Sequence, residues 1–522
     1  MDNRIEDITR NGEVNRRAPK KIRTLGGEYD CRWDGSARVT VNGHLAAFSQ
    51  FLECGGLLDR LVSGCPLAYT SHNAPTSRAV LATAISGILE GASRYRHLDR
   101  LSDDRVSPEL FGVRRFMSCD SVRRAMGRMD SGAALEWLWS ANLDACSDLL
   151  SREYVLDLDP TVKPLYGHQE GAELGYSPQK PGRPSHVYHT LCCAELRLVL
   201  GVALHPGGET SGTHSTGTLE DFLGRLPRHL RPSFVRGDVG FGNETVIGAC
   251  EAQGMPYLFK VRRSPGIRAV WESCQGPGVR WENAGQGWEG TETRVMLRGW
   301  TRERRALVLR RRRADGPGKA AAPADRLPAV RQPLLPGMEE LLPPDAKFTD
   351  RLYDWEVLVT DLGHDILTLA QLYRDRGDCE NIFDEMKNHY GWGGFVTQDM
   401  KRTAIVAGLS AFVANVWNIF CRIGGDGSHK EALTTRRRLQ GCVARISRHG
   451  RRNSITVYTA GNEDAASAFA EIAGFLHKVT AASQLRAEQR WQLIIYWAFR
   501  KYRLIYRLYP PLLGDQIMLP LA

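Results

Sequence analysis

The sequence predicts a mixed α/β core interrupted by a block of roughly 90 residues, with helical regions on both sides. Three observations predict it. Strand-like segments around one helical pattern fill residues 154 to 260. A block rich first in tryptophan and then in proline and alanine follows, to residue 344. Strand character then returns in YDWEVLVTDL, and helical patterns dominate what remains.

The bulk numbers bound the partners. A chain of 522 residues exceeds one ordinary core, so about two to four domains, or a core with insertions, are expected. Apolar residues make up 42%, enough for real cores. The 69 Lys and Arg against 59 Asp and Glu give a net charge of +10, which suits a polyanionic partner without establishing one. None of the twelve cysteines forms a CxxC pair. Buried thiols in a reducing compartment fit that pattern better than a disulfide framework or a zinc site. The start, MDNRIEDITRNGEVNRR, is charged and lacks an apolar stretch, so no signal peptide is expected.

Taken in order, the region up to 150 reads as helical. SHNAPTSRAVLATAISGILEGASRY offers a Ser/Thr cap and then apolar residues at helical spacing. In FMSCDSVRRAMGRM, Ser118, Asp120 and Ser121 are cap candidates before a short helix bearing Arg123, Arg124 and Arg128. Such a helix suits the recognition element of a helix-turn-helix, or is a solvated basic helix. Strands are expected at YVLDLD, HVYHTLCCAEL, RLVLGVALH, SFVRGDVGF and YLFKVR, with a helix at TLEDFLGRLPRHL. Trp271, Trp281, Trp288 and Trp300 mark the interrupting block, which ends in a long Pro/Ala-rich loop. TAIVAGLSAFVANVWNIFC is uncharged for 19 residues, close to a membrane span. Ser410, Asn415 and Asn418 interrupt it, so a core helix is expected and no membrane partner.

The chemistry centres on carboxylates. In YRDRGDCENIFDEMK, an ideal helix places Tyr373, Arg376, Glu380 and Lys387 within an arc of about 60°. Asp384 falls near it, Glu385 does not, and Cys379, Ile382, Phe383 and Met386 form an apolar stripe. In YVLDLDPT, Asp157 and Asp159 face the same way, and Pro160 is expected to end the strand at Asp159. Asp238 closes another strand, with Gly237 and Gly240 beside it for close backbone approach. Two strand-end aspartates and one helical glutamate gathered together would repel one another. Mg²⁺, which takes one or two carboxylates with phosphate and water, relieves that repulsion. Arg376 and Lys387 beside Glu380 are then placed to hold phosphates. Taken alone, each residue reads first as an ordinary turn or surface residue.

The four residues Tyr373, Arg376, Glu380 and Lys387 match the pattern Y-x2-R-x3-E-x6-K without a gap. With Asp159-Pro160-Thr161 and Asp238-Val239-Gly240-Phe241 upstream, and GHQEGAELGY between, the chain from about 150 to 425 resembles the DDE transposases of bacterial insertion sequences. The resemblance implies an RNase H-like core interrupted by a β-rich insertion. It implies Asp159, Asp238 and Glu380 as catalytic, metal-ligating carboxylates for Mg²⁺ or Mn²⁺, two ions per site. Tyr373, Arg376 and Lys387 are then DNA contacts, and Asp157 is the rival for the first position. Tryptophans in the insertion would stack on a flipped base or serve as strand core. The implied organisation is an N-terminal helical DNA-binding region (1–150), catalytic core (151–264), insertion (265–349), core again (350–425) and a basic helical C-terminal region (426–522).

Other features fit that frame. TTRRRLQGCVARISRHGRR holds seven arginines and no acid from Arg436 to Arg452. Arg436, Arg437 and Arg438 are therefore candidates for the DNA backbone, as are Arg123 and Arg124. Lys180 and Arg183 are DNA contacts or plain loop charges. His186 and His189, three apart on a strand, face opposite sides and share no metal. The amphipathic LRAEQRWQLIIYWAFRKYRLIYRLYP is expected to pack or dimerise. The expected protein cuts at the element's terminal inverted repeats and joins 3′-OH ends to target double-stranded DNA, as a homodimer on paired ends in the bacterial cytoplasm. A metal-dependent nuclease of the same fold, and an inactive DNA-binding derivative, stand as alternatives.

Overall fold

The computed structural model describes residues 20–313 and 352–499, apart from positions 33, 35, 36, 72, 152, 178, 179, 425–427, 451, 460 and 462. The Pro/Ala-rich loop and the end of the last amphipathic stretch lie outside them. Two short strands, β1 (Lys20–Thr24) and β2 (Gly27–Cys31), form an exposed hairpin, and β3 (Val39–Thr40) follows.

A nine-stranded sheet is built from β4 (Val155–Pro164), β5 (Ser185–Cys193), β6 (Leu198–Pro206), β7 (Phe234–Gly237), β8 (Tyr257–Lys260), β9 (Glu282–Gly285), β10 (Trp288–Val295), β11 (Arg304–Arg312) and β12 (Tyr353–Thr360). Its order is β6-β5-β4-β7-β8-β12-β11-β10-β9. β4, β5 and β6 run antiparallel, whereas β7 and β8 run parallel to β4. β12 runs antiparallel to β8, and β11 antiparallel to β12. The strands expected inside the insertion are thus hydrogen-bonded into the central sheet.

Alternation sorts side chains onto two faces. Val235, Phe259, Val308 and Val357 enter a large core shared with the helices Leu45–Cys54, Ser77–Leu89, Ser131–Leu150 and Met400–Ile423. Phe234, Leu258, Leu307, Leu309 and Leu358 face the other way, against Ile366, Leu369, Ala370 and Tyr373 of the helix Ile366–Arg374. Asp157, Asp159, Arg236 and Asp238 share the parity of Val155 and Phe234, so this second face carries the site.

The uncharged stretch is a core helix. Thr403 through Phe420 are all buried. Asn415 bonds both backbone groups of Val199, and Asn418 bonds the carbonyl of Leu196, which fixes the helix to β6. The described part of the last amphipathic stretch, Ala487–Phe499, packs inward, with Trp491 bonded to the carbonyl of Ala145. Thr76 and Ser118 cap their helices as the sequence suggested. A final hairpin, β13 (Val443–His449) and β14 (Arg452–Tyr458), pairs with β3.

Two local expectations fail. β4 does not stop at Asp159: Pro160 sits in mid-strand opposite His189. β7 ends at Gly237, level with Leu158, so β4 becomes a free edge on that side where Pro160 falls, and a proline is tolerated there. Nor is Tyr373–Lys387 one helix. A 3-10 turn, Asp375–Gly377, separates Ile366–Arg374 from Asp378–His389. Gly377 disfavours a continuous helix interior, and the tighter turn changes which residues share a face.

Candidate active site

The parallel pairing of β4 and β7 ends at Leu158 and Gly237, and the residue that follows each in the chain is an aspartate of the site. Asp159 is buried and pushed up to about 7: burial is the main cause, opposed by the Arg376 guanidinium and reinforced by the charge of Asp238. Arg376 donates to Asp159 Oδ2 at 2.7 Å from the 3-10 turn. Asp238 is half-buried, and its Oδ1 accepts from the Gly240 backbone at 2.8 Å, a short turn that aims its second oxygen elsewhere. Of the two glycines expected to allow close approach, a side chain on Gly237 would press on the Phe241 side chain and one on Gly240 on Asp238; nearby Gly242, a third, would collide with the carbonyl of Lys260.

Tyr373 is buried under the sheet beside Arg376, and burial raises its hydroxyl pKa, an effect the nearby Arg376 charge opposes. Lys387 is half-buried; burial lowers its ammonium, and the charges of Asp384 and Asp159 oppose this. Asp159, Asp238, Tyr373, Arg376 and Lys387 are therefore brought together. Cys379, Ile382, Phe383 and Met386 are buried, as the apolar stripe required.

Glu380 is not gathered with the aspartates. It is exposed on the first turn of the helix Asp378–His389. Among the described residues, no three His, Cys, Asp or Glu side chains lie close enough to hold one metal ion. An exposed carboxylate keeps its hydration, and joining buried Asp159 and half-buried Asp238 would add repulsion that the single charge of Arg376 does not offset. As a donor set, the Asp159–Asp238 pair with open oxygens fits a hard divalent cation whose remaining ligands are water and phosphate.

Asp157 is removed from contention as a ligand. It is fully buried and gripped by Arg236, with Nε to Oδ1 at 2.6 Å and Nη2 to Oδ2 at 3.0 Å, and it also accepts from the Ala194 backbone. Arg236 further donates to the carbonyl of Leu372. One guanidinium thus ties β4, β7 and the Tyr373 helix together, each within two residues of a site side chain. Sequence reading missed Arg236. Its signal was there: an arginine inside an apolar strand, in register with Asp238.

The chain matches the family described as the transposase DDE domain over residues 150–415, half of its length. It belongs to that family. The matched region of this DDE transposase contains the whole cluster from Asp159 to Lys387. A cryo-EM structure of the piggyBac transposase synaptic complex with hairpin DNA is 12% identical, with 92% of this chain and 89% of that one covered at a TM-score of 0.35, too slight a likeness to bear on the chemistry. Among curated proteins, none matches the chain.

The arginine candidates divide. Arg436 is turned inward, donating to the carbonyl of His389 at 2.9 Å and lying over the Tyr390 ring at 4.6 Å, and burial lowers its pKa. It is a strut between the helices Ala432–Leu439 and Asp378–His389, which corrects its reading as a phosphate contact. Arg437 is exposed, while Arg438 pairs with Asp464. Arg123 pairs with Asp120 at 3.1 Å, and Arg124 is exposed on the same helix. Lys180 and Arg183 both lie over the exposed ring of Tyr166. His186 and His189 are held separately, by the carbonyls of Glu170 and Glu209. Trp271 is core and stacks on Trp355, and Trp281 and Trp288 carry Arg310 and Arg311 on their faces.

Proposed function

We propose that this chain is the transposase of a bacterial insertion sequence, acting from an RNase H-like core. The first five strands of the central sheet in chain order, β4 to β8, lie in spatial order 3-2-1-4-5, which supports the fold reading. One observation carries the functional reading: Asp159 and Asp238 each follow the last residue paired between the adjacent parallel strands β4 and β7, with Arg376 of the signature against Asp159.

In this reading Asp159, Asp238 and Glu380 hold Mg²⁺ or Mn²⁺, about two ions, which when bound lower the barrier for an attacking and a leaving oxygen. The chain supplies the rest. Arg376 favours the ionised form of Asp159 and offers its remaining N–H groups to a backbone phosphate. Lys387 adds a second cation beside that phosphate. Tyr373, fixed under the sheet, orients Arg376. Burial around Asp159 lowers the local dielectric and strengthens each of these contacts. Water attacks the phosphodiester at the terminal inverted repeats, breaking the P–O3′ bond to leave a 3′-OH and a 5′-phosphate; that 3′-oxygen then loses its proton and attacks a target phosphodiester, forming a new P–O bond as the target's own 3′-oxygen departs and is protonated, with no covalent protein intermediate.

Arg124 and Arg437, exposed outside the core, serve the DNA backbone, and paired ends require a homodimer. The protein works in the cytoplasm at the nucleoid. The test is the full chain incubated with duplex carrying the element's ends. Mg²⁺-dependent nicking at the ends, abolished by chelator and absent on shuffled ends, is expected. Equal cutting of shuffled duplex would reduce the protein to a general nuclease, and full activity in chelator would remove the metal from the account.

A further inference from the structure

The hairpin β13–β14 takes no part in the site above, yet it is built unlike the rest of the surface. Its two strands have seven residues each, about 23 Å long. Ala444 and Ile446 are buried and fix it to the body, with Ala444 opposite Thr40, and the Ile446 backbone donating to the carbonyl of Arg38. Beyond Ile446, among the described residues, the strands pair only with each other. Every described residue of β14 is exposed except Val457, which is half-buried.

The register sorts the hairpin's outer face. Arg445 stands opposite Thr456, Ser447 opposite Ser454, and His449 opposite Arg452. Val443 stands opposite Tyr458 on the same face, next to the body, so the face is a ladder of four cross-strand pairs: one exposed apolar pair at the base and three hydrogen-bonding pairs beyond it, with Arg445 and Arg452 at the two ends of those three. From Ala432 through Asn462 the sequence has seven arginines and no acidic residue. An isolated two-stranded ribbon is marginal in water, and beyond the Val443–Tyr458 pair this one turns only polar and basic side chains outward on that face. Its width suits the major groove of B-form DNA, which is about 12 Å across and admits a two-stranded ribbon.

We infer that β13–β14 is a DNA-reading ribbon that lies in the major groove of a duplex. Arg445 and Arg452 hold phosphates on the two groove walls, and Ser447, Ser454 and Thr456 face the base edges. The ribbon is joined to the catalytic region by the helix Ala432–Leu439, whose Arg436 bonds the carbonyl of His389 at the end of the Glu380 helix. This inference rests on the transposase reading for the identity of its partner.

The experiment measures binding of the full chain to fluorescent duplex carrying the element's end, across a salt series, by anisotropy. The variant Arg445→Ala/Arg452→Ala should flatten the slope of log affinity against log salt by about two units and weaken binding more than about tenfold at low salt. Its thermal unfolding should match wild type, because both side chains are exposed. Ser454→Ala/Thr456→Ala should keep the slope and lose about tenfold of the preference for end over shuffled duplex. Wild-type binding retained by both variants overturns the ribbon and leaves the transposase reading standing. A change in self-association with no change in slope also overturns it, since the ribbon edge would then join two copies of the chain. A wild-type chain that binds no duplex at any salt overturns the transposase reading and the ribbon together.

Discussion

Replacing Asp157 with alanine isolates the clamp beneath the site. The side chains of Asp157 and Arg236 are 1% and 4% exposed, so the variant strands a guanidinium in the core without its carboxylate. Two charge-assisted bonds, at 2.6 and 3.0 Å, are lost. Breaking a buried pair from one side costs about 3–5 kcal/mol, mostly the penalty of the uncompensated charge. Arg236→Met added to Asp157→Ala removes that charge, and the double variant should recover at least about 2 kcal/mol. The assay is urea unfolding of wild type, both single variants and the double, closed as a cycle. End cleavage should also fall in Asp157→Ala, because the clamp ties β4 and β7 directly beneath Asp159 and Asp238. A cost under about 1 kcal/mol for Asp157→Ala, or a double variant as unstable as the worse single, refutes the clamp.

Three other expectations follow from local geometry. Lys163 is buried against Tyr188 and the carbonyl of Gly394, and burial lowers it from 10.5 to about 7. A depressed lysine contributes stability that is full above pH 10.5 and lost as pH falls through 7. Lys163→Met should therefore be more stable than wild type at pH 7, by at most about 4 kcal/mol, with the gap closing toward pH 10.5 in thermal melts. Gly242→Ala forces a methyl group against the Lys260 carbonyl and should destabilise by about 1–3 kcal/mol while shifting the Asp238 turn, read as a lower melting midpoint with reduced cleavage. Arg437→Ala should reduce the salt slope of DNA binding by about one unit at unchanged stability. Arg436→Ala should instead lower stability, because its guanidinium bonds the His389 carbonyl.

Much of the fold was legible because strand patterns are local. Alternation in YVLDLDPT and SFVRGDVGF placed Asp159 on β4 and Asp238 directly after β7. What alternation does not carry is which strands become neighbours, so the continuity of β9–β11 with the catalytic strands was invisible. Spacing on the signature helix grouped Tyr373, Arg376, Glu380 and Lys387, yet the 3-10 turn at Asp375–Gly377 and the burial of Tyr373 are tertiary outcomes. Composition marked the arginine run as basic. Only packing separates Arg436, stacked on Tyr390, from exposed Arg437 beside it. Glu385 shows the same limit: it lies off the polar arc, but inside the fold it accepts from His429 and from the Ala432 backbone.

The central claim is that Glu380, exposed and apart from the aspartates in this structure, is the third carboxylate of the active site. The direct measurement is cleavage and joining of end-containing duplex by Glu380→Gln in Mg²⁺, beside wild type and Asp384→Asn. The account predicts that Glu380→Gln binds the ends as tightly as wild type and neither cuts nor joins them, while Asp384→Asn does both. Cleavage and joining by Glu380→Gln at the wild-type rate would contradict it.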